Sequence, residues 1–257
     1  MQIEENLIEC LTKHQNINGD CIQIFTKSPM KFTDINTKIK TEGVKQYLTE
    51  HNIKLYIHSQ YIINLCNETD WGIKSLVDDM EFGEKIGASG VVVHMGKNCK
   101  KYNMNNEEGY KKMKMFINKV LSKCSGCKNV KFLLENSAGQ GTELGGDPED
   151  LLNFNELNVN YCIDTAHLWG NGYDIKQYFN KFEEIIGLDK LELIHLNDSL
   201  VKKGSKKDRH APLNSGQMEI RNDIEFLLDL NKPIVLETGG DYGDEIKYLK
   251  EFKNNQT

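Results

Sequence analysis

From residue 20 onward, short apolar runs alternate with longer amphipathic ones, and six of the seven apolar runs carry, within two residues of their C-terminal end, a residue able to bind a cation. The runs Cys21–Thr26, Lys54–Ser59, Gly90–Met95, Val130–Asn136, Val159–Asp164, Leu191–Asn197 and Pro233–Thr238 read as strands. Stretches near 34–51, 70–88, 105–123, 147–155, 174–187, 217–230 and 242–253 carry apolar residues at three-four spacing and read as helices. Strands apolar along almost their whole length are buried on both faces, which implies a parallel sheet.

An open doubly wound sheet and a closed barrel both satisfy this alternation. An open sheet gathers its site at one switch point, whereas a barrel brings every strand end to one mouth. His58, His94, Glu135, Asp164, His195 and Glu237 each close a different run, so the barrel is the better reading. The expectation is an α/β protein, a (β/α)8 TIM barrel in a single domain over residues 1–257. Its first strand is absent or replaced. Residues 1–18, with Ile3, Leu7, Ile8 and Leu11, look helical and have no strand before them.

Composition narrows the partners. With 39% hydrophobic and 27% charged residues and no apolar run of bilayer length, the chain reads as soluble, with no membrane partner. The acidic opening Met1-Gln-Ile-Glu-Glu5 lacks the features of a secretory signal, so an intracellular protein with seven reduced cysteines is expected. Cys124-Ser-Gly-Cys127 stands alone, and a surface turn explains it better than a four-thiolate site.

Individually, His58 and His94 have a bland reading as core histidines, Asp164 as a helix cap and Glu237 as an ion-pair partner. Glu135 is harder to place, because an unpaired carboxylate at the end of a buried strand is costly. His167 follows Asp164 where a strand passes into a loop, and Asp208 and His210 sit two apart in the loop Gly204–His210. Five histidines and four carboxylates make nine nitrogen and oxygen ligands. That mixture suits zinc, with manganese or iron as substitutes, and nine ligands are enough for three ions. Three divalent cations would offset the net charge of −6 and leave local charge to decide binding. Lys202, Lys203, Lys206, Lys207 and Arg209 then form a candidate phosphate-contacting edge, against the alternative of an ordinary solvated loop.

The motifs Phe25-Thr-Lys27, His58-x-x-Tyr61-Ile-Ile-Asn-Leu65, His94-x-Gly96, Leu134-Glu-Asn-Ser-Ala-Gly-Gln-Gly141, Cys162-Ile-Asp-Thr-Ala-His167 with Gly172-Tyr-Asp174, His195-Leu-Asn-Asp198, Gly204-Ser-x-x-Asp-Arg-His210 and Leu236-Glu-Thr238 span about residues 21 to 252. In that order they resemble the endonuclease IV family, the zinc-dependent apurinic/apyrimidinic endonucleases of base-excision repair. The resemblance implies three zinc ions per chain. His58 and His94 would hold one, and Glu135 would bridge it to a second completed by Asp164, His195 and Glu237. His167, Asp208 and His210 would hold the third.

It also implies hydrolysis of the phosphodiester 5′ to an abasic site in duplex DNA, leaving a 3′-OH and a 5′-deoxyribose phosphate, by a monomer. Glu135 and Glu237 would be the catalytic carboxylates. Tyr61 and Ile62 would enter the gap left by the flipped sugar, and Lys31, Lys206 and Arg209 would contact DNA. Met30 departs from the family, which often has arginine in that loop. Other readings are a barrel sugar isomerase or epimerase and a catalytically inert DNA-binding relative.

Overall fold

The computed structural model describes residues 6–98 and 104–254. Seven parallel strands pair in chain order: β1 (Cys21–Ile24), β2 (Lys54–His58), β3 (Gly90–His94), β4 (Lys131–Glu135), β5 (Asn160–Asp164), β6 (Leu191–Leu196) and β9 (Ile234–Leu236). Between the last two lies a separate two-residue antiparallel ladder of β7 (Asp198–Ser199) and β8 (His210–Ala211). Helix α1 (Leu7–Asn16) precedes β1. After the barrel strands come α2 (Val44–Glu50), α3 (Asp70–Ile86), α4 (Asn106–Lys123), α5 (Pro148–Leu151), α6 (Thr165–Asn171) with α7 (Ile175–Ile185), α8 (Ile224–Asp229) and α9 (Tyr242–Asn254).

Local chemistry sets these helix ends. Thr69 accepts from the Gly72 amide at the start of α3, and Gly87, at φ 79°, closes it in the left-handed conformation that glycine adopts without strain. Asn105 and Glu108 form a reciprocal capping box on α4. The outward faces of the strands, including Ile57, Val91, Val93, Leu134 and Ile194, are buried with Leu76, Met80, Met113, Phe116 and Val120 of α3 and α4 in one core. Each such side chain contributes about 1.5–3 kcal/mol when fully buried.

The inward faces form a second, smaller apolar ring of Tyr56, Val92, Leu133, Cys162, Leu193 and Val235, with Cys21 packed against it. One residue comes from each barrel strand. Closure comes from stagger. Gln23 pairs with Tyr56, His58 with Val92, Glu135 with Cys162 and His195 with Val235, offsets of the kind that tilt strands around a barrel axis.

The sheet curls until β1 and β9 approach, but among the described residues no ladder joins them. The result is the expected barrel with one strand position unfilled. Cavities of about 330 and 280 Å³ open along this seam, both lined by Cys21, Ile234, Leu236 and Ile246. Leu7 and Leu11 are buried on α1, as expected of an opening helix, while Ile3 lies outside the described residues.

Three expected helices are shorter than their sequence pattern. In place of a helix near 34–51, only Val44–Glu50 is helical: Asn36 Oδ1 accepts from the Lys38 amide, and Gly43 stands at φ 72°. Such side-chain bonds offer the backbone an alternative to helix. Near 217–230, Asp198 takes the amides of Gly216 and Met218, and Glu219 has φ 51°, so α8 starts only at Ile224. Near 147–155, α5 gives way to a 3-10 turn over Leu152–Phe154. The 124–127 segment is the turn after α4, although Cys124 is buried rather than on the surface.

Candidate metal centre

Two residues beyond each member of the inner ring, where a strand's period of two returns the side chain to the same face, stand Gln23, His58, His94, Glu135, Asp164, His195 and Glu237. Six are the strand-end candidate ligands expected from the sequence, and they lie together at one mouth. The segment after β5 is not the expected loop. Asp164 caps α6 by accepting from the His167 amide at 2.9 Å, and that first turn swings His167 over the mouth. Asp208 and His210 arrive through the β7/β8 ladder, another departure from a plain loop. Gly96 lets the loop after β3 close in, since a Cβ there would stand 2.6 Å from the Cys66 backbone nitrogen.

Three clusters result. His58, His94 and Glu135 make the first, and Glu135, Asp164, His195 and Glu237 the second. Asp164, His167 and His210 make the third, so Asp164 stands between two clusters and Glu135 between another two. Asp208 joins the third with Oδ2 at 3.3 Å from His167 Nε2 and Oδ1 at 3.1 Å from His210 Nε2.

These spacings fit ions. Two donors about 2.05 Å from a tetrahedral zinc lie about 3.3 Å apart. Glu135 Oε2 is 3.3 Å from both His58 Nε2 and His94 Nε2, and its Oε1 is 3.2 Å from His195 Nδ1. Glu237 Oε2 is 3.3 Å from His195 Nδ1, and Asp164 Oδ2 is 3.5 Å from His210 Nε2. Although His210 Nε2 is buried and close to Asp208, it meets no hydrogen-bond geometry. A nitrogen so placed suits coordination.

The imidazoles are oriented from behind. His58, His167 and His210 each donate Nδ1–H to a backbone carbonyl, of Ser59, Asn136 and Glu237 respectively, which leaves Nε2 for the centre. Asn136 accepts from the Asp164 amide, and Asn197 donates to Asp164 Oδ2 while accepting from the Glu237 amide. Neither asparagine nor Gln23 was anticipated from the sequence, because amides are not usual ligands. The offset of two from the inner ring is the signal that would have found Gln23.

Without metal, the imidazoles are the counter-charges. Burial opposes their protonation, yet the charges of Asp164 and Asp208 raise His210 to about 9. Burial also opposes ionisation of Glu135, but His94 and His195 outweigh it and hold the carboxyl well below its usual range. Cys162, two residues below Asp164, is pushed up to about 12 by burial and stays a thiol, which keeps the ligand set to nitrogen and oxygen.

Of the residues expected to contact DNA, Tyr61 stands beside the first cluster. Tyr61 is 41% exposed, its ring 5.0 Å from His58 and 5.1 Å from His94, and its amide bonds Pro29 O at 3.0 Å. Ile62 is half-buried and lines a small cleft with Phe32, Trp71 and Phe116. Lys31, Lys206 and Arg209 are exposed, as are Met30 and Phe32. Lys206 reaches Asn171, Arg209 folds onto the Asp208 carbonyl, and Lys203 pairs with Asp174 at 2.5 Å.

Residues 12–252 match the family model of the xylose isomerase-like TIM barrel. The "Probable endonuclease 4" of Clostridium beijerinckii is 35% identical over 266 residues, covering 93% of this chain and 92% of that protein. The "Putative endonuclease 4" of Acanthamoeba polyphaga mimivirus is 30% identical over 282 residues, covering 98% and 89%. Among solved structures, endonuclease IV from Thermus thermophilus superposes with a TM-score of 0.84 at 24% identity, covering 99% of this chain and 96% of that one. A D-tagatose 3-epimerase-like protein shares the fold at a TM-score of 0.75 and 16% identity, covering 98% and 93%.

Proposed function

The chain belongs to the endonuclease IV family, and on that footing we propose that it hydrolyses the phosphodiester 5′ to abasic sites in duplex DNA, a step of base-excision repair. The observation that carries the reading is the convergence of five imidazoles and four carboxylates at one barrel mouth with separations suited to three ions. Zinc held there, with manganese as a substitute, supplies a lowered pKa for water and neutralises charge developing on phosphoryl oxygens.

The protein's own groups do the rest. Glu135, bridging the first two clusters, holds the reacting water in line with the phosphorus, and Glu237 fixes the second cluster. Because the barrel below the centre is filled by apolar side chains, substrate approaches from the mouth. Tyr61, exposed above His58 and His94, props the duplex at the missing base. Unstacking costs a few kcal/mol and least where a base is already absent, which favours the damaged site. Lys31, Lys206 and Arg209 contact phosphates, and binding weakens as salt rises. Met30, 67% exposed, offers an apolar side chain beside Lys31.

The epimerase-like fold match keeps a sugar-isomerising reading in view, but the third cluster and the Tyr61 edge serve a nucleic acid better. One experiment separates the readings: the zinc-loaded protein is incubated with a duplex carrying a tetrahydrofuran abasic analogue. Incision on the 5′ side supports the nuclease. Binding without incision supports an inert relative, and a duplex left both unbound and uncut favours the sugar enzyme.

A further inference from the structure

Gln23 occupies on β1 the inward position that carries a candidate ligand on the other six barrel strands, two residues beyond Cys21. Its side chain is buried and crosses the seam that no ladder closes. Nε2 donates to Glu237 Oε1 at 2.7 Å, and Oε1 lies 2.9 Å from His195 Nε2.

These two contacts fix each other. The reverse amide orientation would set a carbonyl oxygen against the Glu237 carboxylate, so Oε1 must face the imidazole. An acceptor there requires a proton on His195 Nε2. Nδ1 is then the free nitrogen, and it is the one aimed at Glu135 Oε1 (3.2 Å), Glu237 Oε2 (3.3 Å) and Asp164 Oδ2 (3.9 Å). The same amide holds Glu237 by one oxygen and leaves the other to the cluster. His58, His167 and His210 take their orienting bonds from backbone carbonyls, which substitution does not remove. His195 takes its bond from a side chain.

We propose that Gln23 is a positioning residue of the metal centre, setting the His195 tautomer and the free oxygen of Glu237 while tying the open seam at the level of the ligands. The proposal rests on the metal-centre reading above. Groups behind metal ligands typically contribute ~10–100-fold in affinity.

The test is a zinc titration against a competing chelator, run on the wild-type chain and on Gln23→Met, with far-UV circular dichroism as the check on folding. One of three zinc ions should bind ~10–100-fold more weakly in the variant, with the other two unchanged. Long-range ¹⁵N NMR of the zinc-loaded wild type should show a protonated His195 Nε2 and a metal-shifted Nδ1. Zinc on Nε2 overturns the proposal even if the variant does not fold. Equal zinc affinities in both proteins overturn it alone, whereas a wild-type chain that takes up no zinc removes the metal-centre reading as well.

Discussion

Lys27 Nζ lies 3.1 Å from Asp79 Oδ2, with both side chains almost fully enclosed. The ammonium also donates to Ser75 O at 2.6 Å and Ser75 Oγ at 2.9 Å, and Thr26 donates to Asp79 Oδ1 at 2.5 Å. Ser75 Oγ continues to Gln60, which holds the Ser28 and Lys31 carbonyls. The pair therefore anchors α3 to both segments that carry Tyr61 and Lys31. Breaking a buried pair by removing one partner costs about 3–5 kcal/mol, more than an apolar replacement of both. Lys27→Met should lower the chemical-denaturation free energy by that amount, and Lys27→Met with Asp79→Leu should recover most of it. Equal stability of the single variant and wild type would refute the anchor.

His210→Ala removes a ligand of the third cluster without touching the inner ring. Elemental analysis should find one zinc fewer per chain, incision should fall by orders of magnitude, and the circular dichroism spectrum should not change. Retention of three zinc ions sinks this assignment.

Tyr61 contacts the ligand imidazoles only by its ring and donates nothing that the clusters need. Tyr61→Ala should leave the zinc count alone and weaken binding to an abasic duplex by about 1–3 kcal/mol, the usual worth of an aromatic platform. A fluorescence-anisotropy titration with wild-type affinity would take Tyr61 out of the DNA interface.

Without metal, the folded chain holds protons that the unfolded chain releases. His210 is raised to about 9, and His94, His167 and His195 move upward as well. Groups raised on folding contribute fully below the unfolded histidine value of about 6.5 and lose that contribution as pH climbs through their folded values. The Tm of the metal-free protein should therefore decline from about pH 6.5 to about 9. Zinc should abolish the decline, because ligation displaces those protons. A Tm that rises across this window in metal-free protein would contradict the sign.

What the sequence made legible follows from period. Runs buried on both faces announced parallel strands, and a polar residue closing six of them announced a mouth, so the barrel and its strand-end ligand candidates could be read directly. Segments whose geometry is set by single side-chain bonds could not. Asn36 and Gly43 cancel most of a helix whose apolar spacing is sound, and Asp198 gathers amides from residues far along the chain. Asp164 reads as a helix cap, but the helix it starts, Thr165–Asn171, is too short to show an apolar period, so the segment reads as a loop. Gln23 was missed because it contributes orientation, which depends on two partners 172 and 214 residues away.

Below the ligands, Tyr56, Val92, Leu133, Cys162, Leu193 and Val235 close the barrel with apolar side chains. That floor has little capacity to polarise, so the field of any cations above it is screened from one side only and is focused outward. Incoming phosphate, protons and chelators would all compete for one portal. The rate at which a chelator strips the ions should then fall when the portal is covered by DNA, whatever the affinity of each ion on its own.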